Sequence, residues 1–457
     1  MTKTPRRFLI LLLACAALAP FAPAQTLARP GWAGSGMNTD PWWKHAVVYH
    51  VNPANFSPSD GSPLRGLTER IDYLRSLGVD ALLLTPIQPG STQAQAIDPS
   101  LGTLDDLDDL IHEASRHNIR VLLDLAPDTD DLGTVARFWL NRGVAGLHLI
   151  GAATSAPTSL QLAELRRASA GYLGQRVIIG DFDRSTLAPT PQRVTSTRSP
   201  LDAPQLLLDP RVGTSPQLSA SAIRPAIDDA QILRQAGRTM PLLFTDGPTY
   251  TRSMSRYADG QHDLAIAKVV ATLLFTTGTG SQIYYGQELG LTAESPPSTT
   301  SAPSTSSSSI LIHWDAPSPP SRGQPTRVSS PSATPNVAIE EADPTSLLNW
   351  YRSLSELHHG NATITSGTTI SLNHDDQNVL AWVRKPRVVS TISPVVIVMC
   401  NLSASPVHLS LKPDMLHLHL RGSFLRTLLR SDHGRGPMDL ESTTLAPYAV
   451  YIGELRY

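Results

Sequence analysis

The chain of 457 residues has only two cysteines, Cys15 and Cys400. If the N-terminal segment that contains Cys15 is removed, no disulfide can form within the remaining chain. Stability must then come from an apolar core, and a chain of this length can bury a large one. Cys400 directly follows the apolar run Pro394–Met399. This position predicts a buried strand residue, not a nucleophile or a metal ligand.

The sequence also lacks a charge imbalance and long apolar runs. It contains 37 Lys and Arg against 39 Asp and Glu, a formal net charge of −2, and no long basic run. This balance argues against binding to the phosphate backbone of nucleic acids. No segment after the N-terminus approaches the roughly 18 consecutive apolar residues of a membrane helix, so no stable membrane span is predicted.

Segment 1–24 has the features of a secretory signal peptide. It begins with basic residues, continues with the apolar run Phe8–Ala19 and ends in Ala-Pro-Ala. This order predicts cleavage after Ala24, a linker over 25–40, and export to the periplasm or the extracellular space. In the alternative hypothesis, Cys15 becomes a lipid-modified first residue and is not removed.

From about Pro41 onward, short apolar runs alternate with amphipathic segments. Continuous apolar strands that alternate with helices are typical of a parallel sheet covered by helices on its faces. Eight such repeats over roughly 300 residues favour a (β/α)₈ barrel over an open, doubly wound sheet. We therefore predict an α/β barrel over residues 41–360. Its strands are predicted at 46–51, 81–85, 119–125, 146–150, 176–180, 205–208, 241–244 and 282–285.

Two further regions differ in composition from the barrel. The loop 292–336 is rich in Ser, Pro and Thr, and from Ser295 to Ser309 only Ala302 belongs to another residue type. After about residue 360, short alternating strands predict a C-terminal antiparallel β-sandwich over 361–457. Its strands are predicted at 379–383, 395–402, 407–411, 416–420 and 449–452.

Several segments carry a resemblance to a known family. Residues 42–49 read WWKHAVVY, 71–81 read IDYLRSLGVDA, 283–290 read IYYGQELG, and 342–352 read ADPTSLLNWYR. These segments resemble the α-amylase family of glycoside hydrolases, especially its oligo-α-glucosidase and trehalose-synthase branch. The resemblance covers about 42–457. It implies an active site at the carboxyl ends of the barrel strands, an α-glucan or oligosaccharide ligand, and no cofactor.

The same resemblance implies a retaining mechanism, which needs a nucleophilic carboxylate and an acid about 5 Å apart. The family places the nucleophile at the end of a Gly-Phe-Arg-hydrophobic-Asp pattern on the fourth strand. Here residues 146–150 read Gly-Leu-His-Leu-Ile, so Ile150 replaces the nucleophile and His148 replaces the arginine. An isoleucine side chain cannot attack an anomeric carbon.

The acid and the transition-state stabiliser of the family also fall on changed positions. On the fifth strand, Asp181 stands where a glutamate acid is expected, so the carboxyl group is one methylene shorter; Asp183 is nearby. After the seventh strand, Thr249 replaces the stabilising aspartate, while the downstream Arg252 fits the pattern without a gap.

The third strand keeps Asp124, but Asp128 and Thr129 stand where the family has a sugar-contacting Asn-His pair. We therefore predict Asp124, Asp128, His148 and Arg252 as binding-site positions. The subdomain that the family inserts after the third strand is missing. No metal site is predicted, because no histidine pair has a carboxylate at zinc spacing and the acidic loop after the first strand is reduced.

These observations favour an exported, catalytically degenerate α-amylase-like protein that acts in carbohydrate binding or as a scaffold. The alternative is an active hydrolase or transglycosidase that uses relocated carboxylates. In it, Asp181 as the acid, or Asp183 in its place, works with Asp124 or Asp128. That alternative requires two carboxyl groups facing one pocket at roughly 5–9 Å. A third hypothesis is a partner-binding module with a large apolar patch around the vacated cleft.

Overall fold

The computed structural model describes residues 41–56, 61–126, 128–151, 158–181, 203–236, 239–292, 312–314, 336–390, 393–432, 434 and 436–457. Residues 41–457 form one compact unit. The predicted signal peptide and linker, Asp183 and most of the loop 292–336 lie outside the described residues. Within the described ranges, no helix has the length and apolar character needed to cross a bilayer.

Eight parallel strands close into a barrel, in which each strand pairs with the next and β8 pairs with β1. Each observed strand overlaps one predicted strand, so the predicted barrel is confirmed. Alternate residues such as Val48, Leu122 and Ile179 fill the barrel interior, and the residues between them pack against the surrounding helices. The strands are β1 Val47–Val51, β2 Ala81–Leu84, β3 Arg120–Leu125, β4 Gly146–Leu149, β5 Val177–Asp181, β6 Leu206–Asp209, β7 Met240–Leu243 and β8 Gly280–Tyr284.

The helices around the barrel follow the apolar periodicity of the sequence. In Leu104–Arg116, for example, Leu107, Leu110 and Ala114 are buried, and Thr103 forms a reciprocal capping box with Asp106. The other α-helices of this region are Pro63–Thr68, Ile71–Ser76, Leu132–Asn141, Ser159–Ser169, Ala220–Ala236, Ser253–Tyr257, Asp263–Thr276, Val337–Ala342, Leu347–Gly360 and Ala362–Ser366.

The C-terminal region forms the predicted antiparallel β-sandwich. A six-stranded sheet has the order β14-β13-β16-β11-β10-β9, and β12 pairs with β15 in a second sheet. Apolar side chains of these strands form a separate core that includes Val383, Ile397 and Leu445. The strands are β9 Thr368–Leu372, β10 Val379–Lys385, β11 Val396–Asn401, β12 Val407–Leu409, β13 Phe424–Arg430, β14 Met438–Asp439, β15 Thr443–Leu445 and β16 Val450–Arg456.

The strand predicted at 416–420 is wrong, because the structure has the helix Lys412–His417 at this place. Pro413 lies in the first turn of this helix, where its fixed φ angle and missing N–H are tolerated. Met415 is buried, whereas the side chain of Leu416 is 69% exposed. The apolar spacing that suggested a strand therefore does not correspond to a buried face.

A buried arginine connects the barrel to the sandwich. Arg224, on the helix Ala220–Ala236, donates hydrogen bonds of 3.0–3.1 Å to backbone carbonyl groups of the sandwich. The acceptors are the carbonyl oxygens of Asn373, His374, Asp376 and Val379. Because these carbonyl groups are in or near a buried interface, Arg224 supplies donors that water does not readily replace.

We predict that Arg224→Met lowers the free energy of unfolding by about 3 kcal/mol, because it leaves several buried carbonyl groups without a donor. Arg116→Met is the matched control. The Arg116 side chain is 67% exposed and pairs only with Glu113 on its own helix, so its loss is expected to cost at most about 1 kcal/mol. Chemical denaturation measures both effects. Equal, small losses in the two variants would show that Arg224 does not connect the domains.

Candidate functional site

Four polar side chains meet at the carboxyl ends of neighbouring barrel strands. His50 belongs to β1, Asp124 to β3, His148 to β4 and Asp181 to β5. His50, Asp124 and Asp181 each follow an inward-facing core residue, Val48, Leu122 and Ile179, by two positions. Because side chains alternate along a strand, the polar groups also point into the barrel. We call His50, Asp124, His148 and Asp181 the barrel-end network.

The barrel-end network is a continuous chain of hydrogen bonds between alternating imidazole and carboxylate groups. His50 Nε2 lies 3.0 Å from Asp124 Oδ2, and His148 Nδ1 lies 2.7 Å from Asp124 Oδ1. The other nitrogen of the same ring, His148 Nε2, lies 3.1 Å from Asp181 Oδ1. The backbone N–H of Gly151 donates to Asp181 Oδ2 at 2.5 Å.

His148 carries a positive charge in this arrangement. Burial alone would lower its pKa, but the charges of Asp124 and Asp181 and the hydrogen bonds to both raise the pKa of His148 to about 10. A doubly protonated ring also has an N–H on each nitrogen, so it can donate to both carboxylates. The side chain is therefore an imidazolium that bridges two carboxylates.

Both carboxylates are held in their ionised form. Burial would raise the pKa of Asp124, yet His50 and His148 lower it to about 2. Burial would likewise raise the pKa of Asp181, but the charge of His148, its hydrogen bond and the Gly151 N–H hold that pKa below its ordinary value. A general acid has to carry a proton at the working pH. In this geometry Asp181 is ionised and carries no proton that it could donate to a leaving group.

The other predicted site residues do not join the barrel-end network. Ile150 follows β4, is half-buried, and donates its backbone N–H to the Leu125 carbonyl at 3.1 Å. Asp128 and Thr249 are both exposed. Of the seven residues predicted from the sequence, three thus come together, and His148 directly contacts both Asp124 and Asp181.

Arg252 is part of a second buried cluster beside β8. Its Nη1 donates to the Tyr285 carbonyl at 2.9 Å, and its guanidinium lies 4.9 Å and 4.7 Å from the ring centroids of Tyr284 and Tyr285. Only 5% of Arg252 is exposed. The guanidinium group of Arg252 therefore takes part in packing inside the protein.

His50 and Glu288 are buried polar residues that were not among the site residues predicted from the sequence. His50 lies in the apolar segment of β1, and only its inward position two residues after Val48 could have indicated it. Glu288 is fully buried and accepts hydrogen bonds from Tyr49 at 2.9 Å and from Tyr73 at 2.7 Å. Burial raises the pKa of Glu288, although both tyrosines act against that shift.

The predicted catalytic positions differ in chemistry from the acid and nucleophile that the family resemblance implies. Ile150 offers no nucleophile, and Asp181 is ionised and bonded on both oxygens. Among the described residues, no group of three or more His, Cys, Asp and Glu side chains is arranged to hold a metal ion. The arrangement can stabilise an internal charge, but it does not resemble an acid and nucleophile pair.

We predict that His148→Gln destabilises the fold by a few kcal/mol in a pH-dependent way. The pKa of His148 is raised from 6.5 to about 10 on folding, so its charge stabilises the native state fully below pH 6.5. That contribution is lost as the pH rises through about 10. The difference in unfolding free energy between wild type and variant should therefore shrink from pH 6 to pH 10. A constant difference across this range would contradict the charged bridge.

A family model and individual proteins match this chain. Residues 50–131 match the model described as alpha amylase, catalytic domain. The amino acid transporter heavy chain SLC3A2 of Oryctolagus cuniculus is 27% identical over an alignment of 374 residues, and the match covers 75% of this chain and 64% of that protein. Trehalose-6-phosphate hydrolase of Escherichia coli (strain K12) is 42% identical over an alignment of 95 residues, and the match covers 18% of this chain and 17% of the hydrolase.

Solved structures show the same fold over most of the chain. The crystal structure of trehalose-6-phosphate hydrolase from Bacillus licheniformis has a TM-score of 0.73 at 18% identity, and the match covers 92% of this chain and 100% of that one. Trehalulose synthase from Pseudomonas mesoacidophila MX-45 has a TM-score of 0.72 at 18% identity, covering 91% and 100%. The chain therefore resembles the α-amylase family of glycoside hydrolases in sequence over residues 50–131 and in fold over most of its length.

Proposed function

We propose that this chain is an exported, non-catalytic α-amylase-like protein that binds an α-glucan or oligosaccharide, or acts as a scaffold. One observation carries the proposal: His148 bonds to both Asp124 and Asp181 through its two ring nitrogens. The acidic groups at the barrel end thereby neutralise an internal cation. They are not poised on either side of a glycosidic bond.

Relocated carboxylates would need a protonated acid and a free nucleophile. Asp124 is 1% exposed and bonded to two histidines, so it has no path to an anomeric carbon. Asp181 is ionised, and Asp128 is exposed outside the network. These positions argue against Asp181 working with Asp124 or Asp128 in an active hydrolase.

The ligand class proposed for this chain is taken from the glycoside hydrolases that it resembles in sequence. Their names, trehalose-6-phosphate hydrolase and oligo-1,6-glucosidase, refer to α-glucoside and oligosaccharide substrates. The resemblance to this family implies that a sugar would bind at the carboxyl ends of the barrel strands, where Asp124, His148 and Asp181 lie. A weak carbohydrate ligand at this end of the barrel is thus the binding partner we expect.

The scaffold role is favoured by a separate observation. The match to the transporter heavy chain extends over 374 residues, whereas the matches to the hydrolases cover fewer than 100. A heavy chain is, by its name, one subunit of an assembly. In this second candidate function the chain contributes its folded surface to a multisubunit complex and no chemistry.

The test is an assay of purified protein from residue 25 onward with a panel of α-glucosides and α-glucans, in which turnover and binding are measured on the same samples. We expect no turnover above the buffer rate and saturable binding of one or more ligands by calorimetry. Asp181→Ala and the control Asp109→Ala, an exposed residue on the helix Leu104–Arg116, should both leave turnover at zero.

The variants separate the possible outcomes. Turnover that is present in the wild type, abolished in Asp181→Ala and kept in Asp109→Ala would refute the non-catalytic proposal. Binding without turnover supports carbohydrate binding. If the protein shows neither binding nor turnover, the scaffold role is the remaining proposal. In that case the protein extracted from its native source should migrate in a complex larger than the purified chain.

A further inference from the structure

Two arginines lie close together at the end of the barrel opposite the barrel-end network. Arg120 is the first residue of β3, and Arg176 directly precedes β5. Strand β4 pairs with both of these strands and lies between them. Both arginine side chains are half-buried. The barrel therefore holds two guanidinium groups at neighbouring positions of its amino-terminal end.

These two cations lack bonded counter-charges. Within the part of the chain that the structure describes, neither guanidinium donates a hydrogen bond or lies within ion-pair distance of a carboxylate, and Nε of Arg176 is buried without a partner. Burial lowers the pKa of Arg120; Asp80 acts against this shift and Arg176 adds to it. Asp80 is already bonded to the Val47 N–H at 2.8 Å and to His359 at 3.1 Å.

An indole ring fixes the orientation of one of the two groups. The guanidinium carbon of Arg120 lies 4.4 Å from the ring centroid of Trp42. The Trp42 indole N–H donates to the carbonyl oxygen of Gln175, the neighbour of Arg176, at 3.1 Å. A guanidinium that stacks on an aromatic face keeps its in-plane N–H groups available for other acceptors.

We propose that Arg120 and Arg176 bind a phosphate group at the amino-terminal end of the barrel. Two adjacent cations repel each other, and a dianion placed between them removes that repulsion. The planar forks of two arginines match the oxygens of a phosphate, with which they form charge-assisted hydrogen bonds. The phosphate belongs either to a soluble phosphate compound or to the headgroup of an anionic lipid. This site is independent of the proposed function.

The first experiment titrates inorganic phosphate into the purified protein at constant ionic strength, followed by calorimetry. We expect saturable binding of one phosphate per chain, weakened at least tenfold by Arg120→Gln and by Arg176→Gln. Arg116→Gln, a change to an exposed arginine on the outer helix Leu104–Arg116, serves as the control and should bind like the wild type. Thermal melts verify that each variant is folded.

A flotation assay with phosphatidate vesicles and with neutral phosphatidylcholine vesicles distinguishes the two sources. Flotation with phosphatidate vesicles but not with phosphatidylcholine vesicles identifies a lipid headgroup, provided that Arg120→Gln and Arg176→Gln abolish it. Phosphate binding without flotation identifies a soluble phosphate compound. The site is refuted if the protein binds neither probe, or if both variants bind as the control does. Arg176→Lys, which keeps the charge but loses the fork, should give intermediate affinity.

Discussion

The bridge between the His148 imidazolium and two carboxylates is the interaction on which the carboxyl end of this barrel depends. An isolated charge in a protein interior is very costly, so each member of the network requires the others. Asp124 is almost completely buried and is compensated by His148, and His148 in turn needs Asp181 to satisfy its second ring nitrogen. Removing His148 would leave Asp124 and Asp181 without the cation that compensates both of them.

This constraint links the fold to the proposed loss of catalysis. Closing eight parallel strands brings His50, Asp124, His148 and Asp181 from four strands to one end of the barrel. In an enzyme of this fold, acidic groups at that end must change protonation state or form a bond during the reaction. Here the network fixes their protonation state, and Ile150 contributes an apolar side chain where a nucleophile would stand. Under the proposed function, the network keeps this end of the barrel stable and takes no part in catalysis.

Much of the fold could be predicted from the sequence, because apolar runs and helical periodicity directly reflect burial. Asp124, His148 and Asp181 were predicted through the family resemblance, since strand residues keep their positions in a barrel. Asp128 and Thr249 lie on loops, whose direction is not encoded in residue spacing, and both are exposed. His50 was missed because one histidine in an apolar strand reveals its role only when its neighbours across the barrel are known.

The most direct test of the central claim is the protonation state of His148, read from long-range ¹H–¹⁵N correlation spectra of ¹⁵N-labelled protein at pH 8. The imidazole resonances are assigned by comparison with His148→Gln. The account predicts that both ring nitrogens of His148 carry protons at this pH, because the two carboxylates raise its pKa to about 10. A neutral ring with a single N–H at pH 8 would contradict it.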